Sequence, residues 1–294
     1  MPFLLPPAVR PLRSFRRALW VSVFGLALAG GATAEPFAFY VENRSQGSSL
    51  LRMDLETRER DAVGDTVAGL LALQFDSTGR LWAVNGASLF RLDPTTGRAS
   101  EVGPLGAVPL GPEVDLAMSP AGELWLSADA EGPRLFTVSL DTGEATLRAS
   151  LDHGVAGIAF VGEQLILSVS LGEGTDQLVA FDPESGAVTP LAESPISPAE
   201  FPISMDGFND ILYIQGVNLV STLPITLYSL DLETGDASVV ASEFSIAHWS
   251  RSLAICHGPC RGSQVTDVPT ASTMGLALLA AILTSAGLAL RPPA

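Results

Sequence analysis

A short pattern recurs along the sequence at regular intervals and ends in a turn of the form D-x-x-T-G or a close variant. Its clear copies cover residues 89–97, 135–143, 178–186 and 227–235. A weaker first copy covers residues 50–58, where Arg58 stands in the position that glycine occupies in the others. A repeat of about 45 residues indicates an array of similar units, and it restricts the fold more than any other feature.

A second pattern recurs out of phase with the first and consists of a branched apolar residue, a small residue and an apolar residue. Its small residues are Ala72, Ala117, Ala159, Ser204 and Ala254. A short turn and another apolar strand follow the first four copies, so each unit contains four short strands. This content is typical of a β-propeller blade, whose innermost strand favours small residues because the blades crowd around the axis.

The two ends of the repeat predict how the ring closes. Residues 37–41 form a second strand with no first strand before it, and residues 253–255 form a first strand with no second after it. Pairing them completes one blade from both chain ends and leaves no free edge. We therefore predict an all-β fold, a five-bladed β-propeller with four strands in each blade. An open β-solenoid and a β-sandwich are the alternatives.

The acidic charge is confined to the middle of the chain. The 294 residues include 16 basic and 32 acidic ones, a formal net charge of −16. All 32 acidic residues lie between Glu35 and Asp267, together with 11 of the arginines, so this stretch carries −21. An acidic body repels phosphate, which argues against nucleic acid as a partner. A hydrophobic content of 47% excludes a disordered chain.

Residues 1–34 have the organisation of a secretory signal peptide with a signal helix. Four arginines precede an apolar stretch at residues 18–29, and Ala32 and Ala34 supply the small side chains that a signal peptidase accepts. We expect cleavage after Ala34 and export of the mature chain. A retained N-terminal anchor is the alternative.

The C-terminal end is a second apolar segment. Residues 268–290 contain no charge, and as a helix they would be about 35 Å long, enough to cross the hydrocarbon core of a bilayer. Arg291 follows the segment, as is typical of a cytoplasmic end. The sequence therefore predicts a transmembrane helix.

The residues at the start of this helix carry a specific motif. Residues 268–275 read VPTASTMG and resemble the IPTL-CTERM sorting signal of Gram-negative bacteria. The matching residues are Val268 (a conservative change), Pro269, Thr270, Ser272 and Gly275. Thr273 and Met274 depart from the family pattern.

The resemblance implies a fate for the chain after it crosses the inner membrane. An exosortase-type enzyme would cut near the motif and pass the protein to the cell surface or extracellular matrix. Residues 263–294 would then be a sorting signal, and residues 35–262 the propeller. The alternative is an ordinary C-terminal membrane anchor.

Each D-x-x-T-G turn places a carboxylate beside backbone carbonyls, as a calcium site also does. A structural turn explains the pattern better, because Asp bonds the backbone two residues on and Gly takes the left-handed position. Ser139 replaces the carboxylate in the third copy, which a turn tolerates and a calcium site does not. We therefore predict no cofactor and no metal, with Ca²⁺ as an alternative that nothing else supports.

The long connections are predicted to share one face of the ring, where binding residues tend to lie because the scaffold beneath is rigid. The candidates near the axis mouth are Glu113, Asp115, Glu200, His248 and Trp249, with Asp152 and His153 beside them. Glu113, Asp115 and Glu200 could also serve glycoside hydrolysis, which uses opposed carboxylates. Nothing in the sequence selects a catalytic pair, so no catalytic residue is assigned.

Two cysteines end the repeat body. Cys256 and Cys260 lie close together in sequence, and in an oxidising compartment we expect them to form a disulfide that pins the last strand. The loop between them is short, so the expected stabilisation is local.

These features predict an exported cell-surface β-propeller that acts as a binding or structural module of the envelope or extracellular matrix. Its expected partners are the exosortase-type enzyme, a carbohydrate or protein ligand, and the membrane before processing. The alternatives are a surface glycoside hydrolase or other hydrolase with carboxylates on the long-loop face, and a lectin-like adhesive module.

Overall fold

The computed structural model contains strands joined by turns and loops. The residues that it describes are 36–44, 47–111, 113–170, 176–193, 195–196, 200–218, 225–244 and 252–256. Within these ranges no helix is long and apolar enough to cross a membrane. The predicted signal helix and the predicted transmembrane helix lie outside the described residues, so both stay predictions.

Twenty strands lie in the described part of the chain. The first three are β1 (Phe37–Arg44), β2 (Gly47–Asp54) and β3 (Arg60–Thr66). The next eight are β4 (Ala72–Phe75), β5 (Leu81–Val84), β6 (Ser88–Leu92), β7 (Ala99–Pro104), β8 (Asp115–Met118), β9 (Leu124–Ala128), β10 (Arg134–Val138) and β11 (Ala145–Ser150). The last nine are β12 (Gly154–Val161), β13 (Gln164–Ser170), β14 (Asp176–Phe181), β15 (Val188–Glu193), β16 (Glu200–Phe208), β17 (Ile211–Asn218), β18 (Ile225–Asp231), β19 (Ala237–Phe244) and β20 (Ala254–Ile255).

The described strands form five antiparallel sheets of four strands, which are the blades of the propeller. Blade 1 has the strand order β20-β1-β2-β3. Blades 2, 3, 4 and 5 are consecutive in sequence and begin at β4, β8, β12 and β16. The prediction of five four-stranded blades is confirmed.

Blade 1 is closed by strands from opposite ends of the propeller. Ala38 pairs with Ile255, and Phe39 pairs with Ala254. The Cys256 N–H donates to the Phe37 carbonyl oxygen at 2.8 Å, which extends the pairing by one bond. This is the pairing that the sequence predicts, and it removes the free edges that both strands would otherwise expose.

Apolar side chains fill the spaces between neighbouring blades. Among the described residues there are five such clusters, and each joins one blade to the next, including blade 5 to blade 1. In the cluster between blades 1 and 2, the rings of Phe39 and Phe75 meet edge to face at 5.1 Å. The innermost strands also contact one another in the order β4, β8, β12, β16 and β20, and β20 returns to β4. The sheets therefore form a closed ring, which excludes the solenoid and the sandwich.

The innermost strands carry the small residues of the second sequence pattern. Ala72, Ala117, Ala159, Ser204 and Ala254 are all buried, with exposures of at most 1%. The four alanines lie in the apolar clusters between blades, where a larger side chain would meet the neighbouring blade. The tryptophans of the strands next to them, Trp82 and Trp125, are 4% and 2% exposed and belong to the core between blades.

The D-x-x-T-G segments form the turns between the third and fourth strands of the blades. The Asp93 carboxylate accepts the Thr95 N–H at 2.8 Å, and the Gly97 N–H donates to the Asp93 carbonyl at 2.8 Å. The Thr95 hydroxyl also donates to this carboxylate and lowers the pKa of Asp93. Gly97 has a φ of +74°, and Arg58 has a φ of +64° at the equivalent position of blade 1. A single backbone turn therefore serves both sequences, which explains why the weak first copy belongs to the repeat.

Two of these turns approach the preceding blade so closely that a glycine is needed on each side. Gly64 in β3 faces Gly97, and Gly103 in β7 faces Gly143, so closely that a Cβ on any of the four would overlap the opposing backbone. Gly64 and Gly103 lie where the outer strands shift register against their partners. The turn glycines of blades 4 and 5, Gly186 and Gly235, have no atom within 4 Å of a Cβ position among the described residues.

Candidate functional site

Two faces of the ring follow from its strand order. The turn face carries the hairpin turns between first and second strands and those between third and fourth strands. The loop face carries the connections between blades, including residues 105–114 between β7 and β8. Since Phe37 begins β1 and Ile255 ends β20, both ends of the propeller lie on the turn face.

The axis of the ring poses a hydrogen-bonding problem. Each innermost strand pairs with its blade on one side only, so N–H groups on its other side are directed at the axis and need acceptors. Two buried carboxylates, Asp115 and Asp206, accept N–H groups from three of the innermost strands. They are 0% and 3% exposed.

Asp115 joins three blades near the loop face. Its Oδ2 accepts the N–H groups of Ile158 at 3.0 Å and Met205 at 2.9 Å. Its Oδ1 accepts the hydroxyl of Ser204 at 2.8 Å. Burial raises the pKa of the Asp115 carboxyl well above its ordinary value, although these hydrogen bonds act in the opposite direction. Gly157 leaves room for this contact, because a Cβ there would lie 2.8 Å from Met205 Cγ and 3.3 Å from Oδ2.

Ser204 extends the same network to blade 1. Its Oγ accepts the Leu253 N–H at 3.1 Å while its hydroxyl donates to Asp115. Among the small residues of the second sequence pattern, Ser204 is the one that is not alanine. That departure was the visible signal for a polar contact at the axis, and sequence reasoning treated it only as another small residue.

Asp206 joins three blades nearer the turn face. Its Oδ2 accepts the Ile255 N–H at 2.6 Å. Its Oδ1 accepts the Gly207 N–H at 2.8 Å and the Gln74 side-chain amide at 3.3 Å. Sequence reasoning missed this residue, although it lies two positions after Ser204 and so on the same side of the strand. Gln74 occupies the equivalent position of blade 2.

A cavity of about 240 Å³ opens beside Asp206 at the turn-face end of the axis. Its walls come from the hairpin turns and strand ends of blades 2, 3, 4 and 5. Its lining includes Gln74, Asp76, Met118, Phe160, Asp206 and Asp210. The cavity is thus at the opposite end of the axis from the loop face, where sequence reasoning placed the binding residues.

The structure separates the predicted binding residues into three groups. Asp115 lies in the interior, and its carboxylate bonds the scaffold. Glu113 is partly buried just before β8, and Glu200 begins β16 with its backbone paired to Asn218, while the Glu200 side chain is not described. His248 and Trp249 lie outside the described residues. The ligand-binding role of this set therefore stays a prediction.

Other predicted features are partly described. Cys256 is buried at 2% exposure, and Cys260 lies outside the described residues, so the disulfide stays a prediction. The sorting-motif residues Val268 to Gly275 also lie outside them. Asp152 and His153 are exposed on the loop face. Within the described ranges no group of three His, Cys, Asp or Glu residues could hold a metal ion.

No protein-family model matches the chain, and no curated protein matches it. Among solved structures it is similar to TolB from Acinetobacter baumannii, with 14% sequence identity and a TM-score of 0.47. The match covers 71% of this chain and 53% of the TolB chain, so it spans about half of that protein. The five-bladed fold follows from the strand pairing and the contacts between blades.

Proposed function

We propose that this chain is an exported cell-surface β-propeller that acts as a binding or structural module of the envelope or extracellular matrix, delivered by its C-terminal sorting signal. The observation that carries the proposal is the closure of the ring between Phe37 and Cys256. Cleavage after Ala34 and cleavage near residue 268 would both leave the ring intact. The apolar ends are therefore suited to act as targeting segments that are removed without loss of the fold.

The position of the chain ends determines which face of an anchored propeller would lie toward the membrane. Both Phe37 and Cys256 lie on the turn face, so a C-terminal anchor would hold that face toward the membrane. The loop face, which includes Glu113 and the start of β16 at Glu200, would then face outward. This orientation favours the loop face as the surface for a carbohydrate or protein ligand.

The axis itself supports a binding module over a hydrolase. A glycosidase needs two carboxylates that face a shared substrate across several ångströms. Asp115 and Asp206 instead accept hydrogen bonds from the scaffold and link blades to each other. A hydrolase would have to rely on Glu113 and Glu200 at the loop-face mouth.

Export and sorting are tested by mass spectrometry of the mature protein from its native host. We expect an N-terminus at Glu35 and loss of the segment after Leu276. The double variant Pro269→Ala, Thr270→Ala should keep the C-terminal helix, whereas Gln264→Ala should be processed normally. An intact helix in the unaltered protein would contradict sorting and leave a membrane-anchored propeller.

Binding is tested with a glycan array and with envelope fractions, using the purified exported protein. Trp249→Ala should weaken binding by about ten-fold or more, as expected for a central aromatic contact. Leu147→Ala, which removes an apolar side chain of β11 that is 51% exposed and outside the candidate set, is the control. Release of reducing sugar that is lost in both Glu113→Gln and Glu200→Gln would instead establish the hydrolase.

A further inference from the structure

The seams between neighbouring blades differ at their outer ends. At two seams, those of blade 2 with blades 1 and 3, the turn glycine of one blade is buried against Gly64 or Gly103 in the outer strand of the other. In β15 the residue that follows the register shift is instead Ala192. Its Cβ occupies the space that the turn of blade 5 would need. Gly235 of that turn is exposed, with no described atom within 4 Å of a Cβ position, so this seam is open among the described residues.

Large apolar side chains are exposed in the open seam between blades 4 and 5. Leu191 is the bulged residue of β15 and is 40% exposed, whereas its equivalents Val63 and Val102 pack into the clusters between blades. Val239 of β19 is 52% exposed and pairs with Tyr228, so its side chain lies on the side of blade 5 that faces blade 4. This open end of the seam, the outer groove, is lined by Leu191, Tyr228 and Val239.

The two blades that form the outer groove carry only negative charge. No arginine or lysine occurs between Arg148 and Arg251, although 14 of the 32 acidic residues lie there. Glu233 and Asp236 are exposed in the same turn as Gly235. A second copy of this chain would bring like charges together at this surface, and so would an anionic membrane. The groove therefore favours a partner that combines apolar side chains with basic ones.

We propose that the outer groove binds an extended segment of a basic partner protein, in which apolar side chains alternate with arginine or lysine. β19 is the outermost strand of blade 5, so its free edge has backbone groups that can pair with an extended chain. Every second side chain of such a segment would point to the side of the blade where Leu191 and Val239 are exposed. The site lies on the rim of the ring, apart from the loop face, so it does not depend on the proposed loop-face ligand.

The site is tested by titrating the peptide acetyl-Arg-Leu-Arg-Leu-Arg-amide into the purified, isotope-labelled protein, followed by calorimetry and NMR. We expect it to bind at least about five-fold more tightly than acetyl-Arg-Ser-Arg-Ser-Arg-amide, which has the same charge and no apolar side chain. It should also bind at least about five-fold more tightly than acetyl-Glu-Leu-Glu-Leu-Glu-amide, and this second difference should shrink as salt is raised. The amide signals that shift should belong to β15 and β19.

Two apolar variants locate the binding. Leu191→Ser and Val239→Ser replace exposed side chains, and each should weaken binding of the arginine–leucine peptide by about three- to ten-fold. Leu147→Ser is the matched control. Leu147 is 51% exposed on the outer strand of blade 3, but it pairs with Phe136 and so faces the seam with blade 2, which the glycines close. The control variant should bind the peptide as the unaltered protein does.

A second pair of variants tests the contribution of charge. Glu233→Gln removes an exposed carboxylate from the turn of blade 5 and should weaken binding by about two-fold. Asp141 is exposed at the same position in the turn of blade 3. Asp141→Asn should therefore leave the binding unchanged.

Three results would overturn the proposal. The first is equal binding of the arginine–leucine and arginine–serine peptides. The second is an equal response of binding to Leu191→Ser and Leu147→Ser. The third is a dimer in analytical ultracentrifugation that Val239→Ser abolishes, because the occupant would then be a second copy of this chain. None of these results bears on the loop-face ligand, which is tested with other probes and variants.

Discussion

The axis and the outer turns of this ring both hold neighbouring blades together, but by different means. At the axis, the side chains of Asp115, Ser204 and Asp206 bond the backbones of other blades. At the outer turns of blades 2 and 3, the backbones themselves meet through pairs of glycines, Gly64 with Gly97 and Gly103 with Gly143.

The difference follows from the geometry of a blade. The innermost strand has unpaired N–H groups and little space, so a short side chain with oxygen acceptors satisfies several groups at once. The outer turn has already satisfied its own hydrogen bonds, so close approach requires only the absence of a Cβ. The axis should therefore be sensitive to lost acceptors, and the outer turns to added volume.

The largest expected effect is that of Asp115→Ala. It leaves the donors of Ile158, Met205 and Ser204 buried without their acceptor, and the free energy of unfolding should fall by about 3–5 kcal/mol. Urea denaturation measures it. Asp115→Asn keeps one oxygen acceptor and should lose less. A loss below about 1 kcal/mol in the alanine variant would show that the axis does not depend on this acceptor.

The same carboxylate should make the free energy of unfolding depend on pH, and the direction of the change can be predicted. The folded pKa of Asp115 is raised above its ordinary value of 3.8, so the folded state binds the proton more tightly than the unfolded state. The stability of the unaltered protein relative to Asp115→Asn should therefore rise as pH falls from the raised folded value toward 3.8. Urea midpoints of both proteins across this window test it, and a constant difference would contradict it.

At the outer turns, Gly97→Ala should destabilise the protein by about 2–4 kcal/mol. The methyl group must accept a positive φ and also overlaps the Gly64 backbone. Gly235→Ala is the matched variant, because its φ of +77° is similar and no described residue lies within 4 Å of the added Cβ. It should lose only about 1–2 kcal/mol. Equal losses would show that the glycine pair carries no contact energy.

A smaller effect is expected for Ser204→Ala, about 1–2 kcal/mol, because the Leu253 N–H loses its acceptor at the axis. Alanine fits sterically, since the equivalent position is alanine in the other blades. Ser168→Ala is the control: Ser168 is 0% exposed, and its hydroxyl has no partner among the described residues. Thermal unfolding should show no loss for it.

The smallest expected effect is a gain in stability. Arg58→Gly places glycine in the one turn of the repeat that lacks it, where φ is +64°, and should stabilise the protein by about 0.5 kcal/mol after the added freedom of the unfolded chain is included. Arg58 is exposed, so few contacts are lost. Arg58→Ala keeps the unfavourable φ and should show no gain in the same denaturation experiment.

The repeated parts of this fold could be predicted from the sequence. The small residues of the innermost strands and the turns that end in glycine recur at a fixed period, because every blade meets the same packing problem. The closure of blade 1 followed from counting strands at residues 37–41 and 253–255. These predictions need only local patterns, which a single sequence is enough to show.

The axial network could not be predicted in the same way. Asp115 stands at the start of an inner strand, but its partners Ile158 and Met205 lie 43 and 90 positions away. The role of Asp206 can be recognised only once the side of β16 that faces the axis is known. The glycines of β3 and β7 gave a weaker signal, since glycine is unfavourable within strands and often marks a close backbone approach.

The closure of blade 1 also determines how the ring would respond to mechanical load. In a chain tethered by its C-terminus on the turn face and pulled by a ligand on the loop face, tension runs along the axis of β20. The bonds from β20 to β1 would then be stretched together with those from Leu253 to Ser204 and from Ile255 to Asp206. A strand of two residues would thus be loaded in shear, with bonds to two blades sharing the force. Its rate of rupture would limit how long the tethered ring stays closed under load.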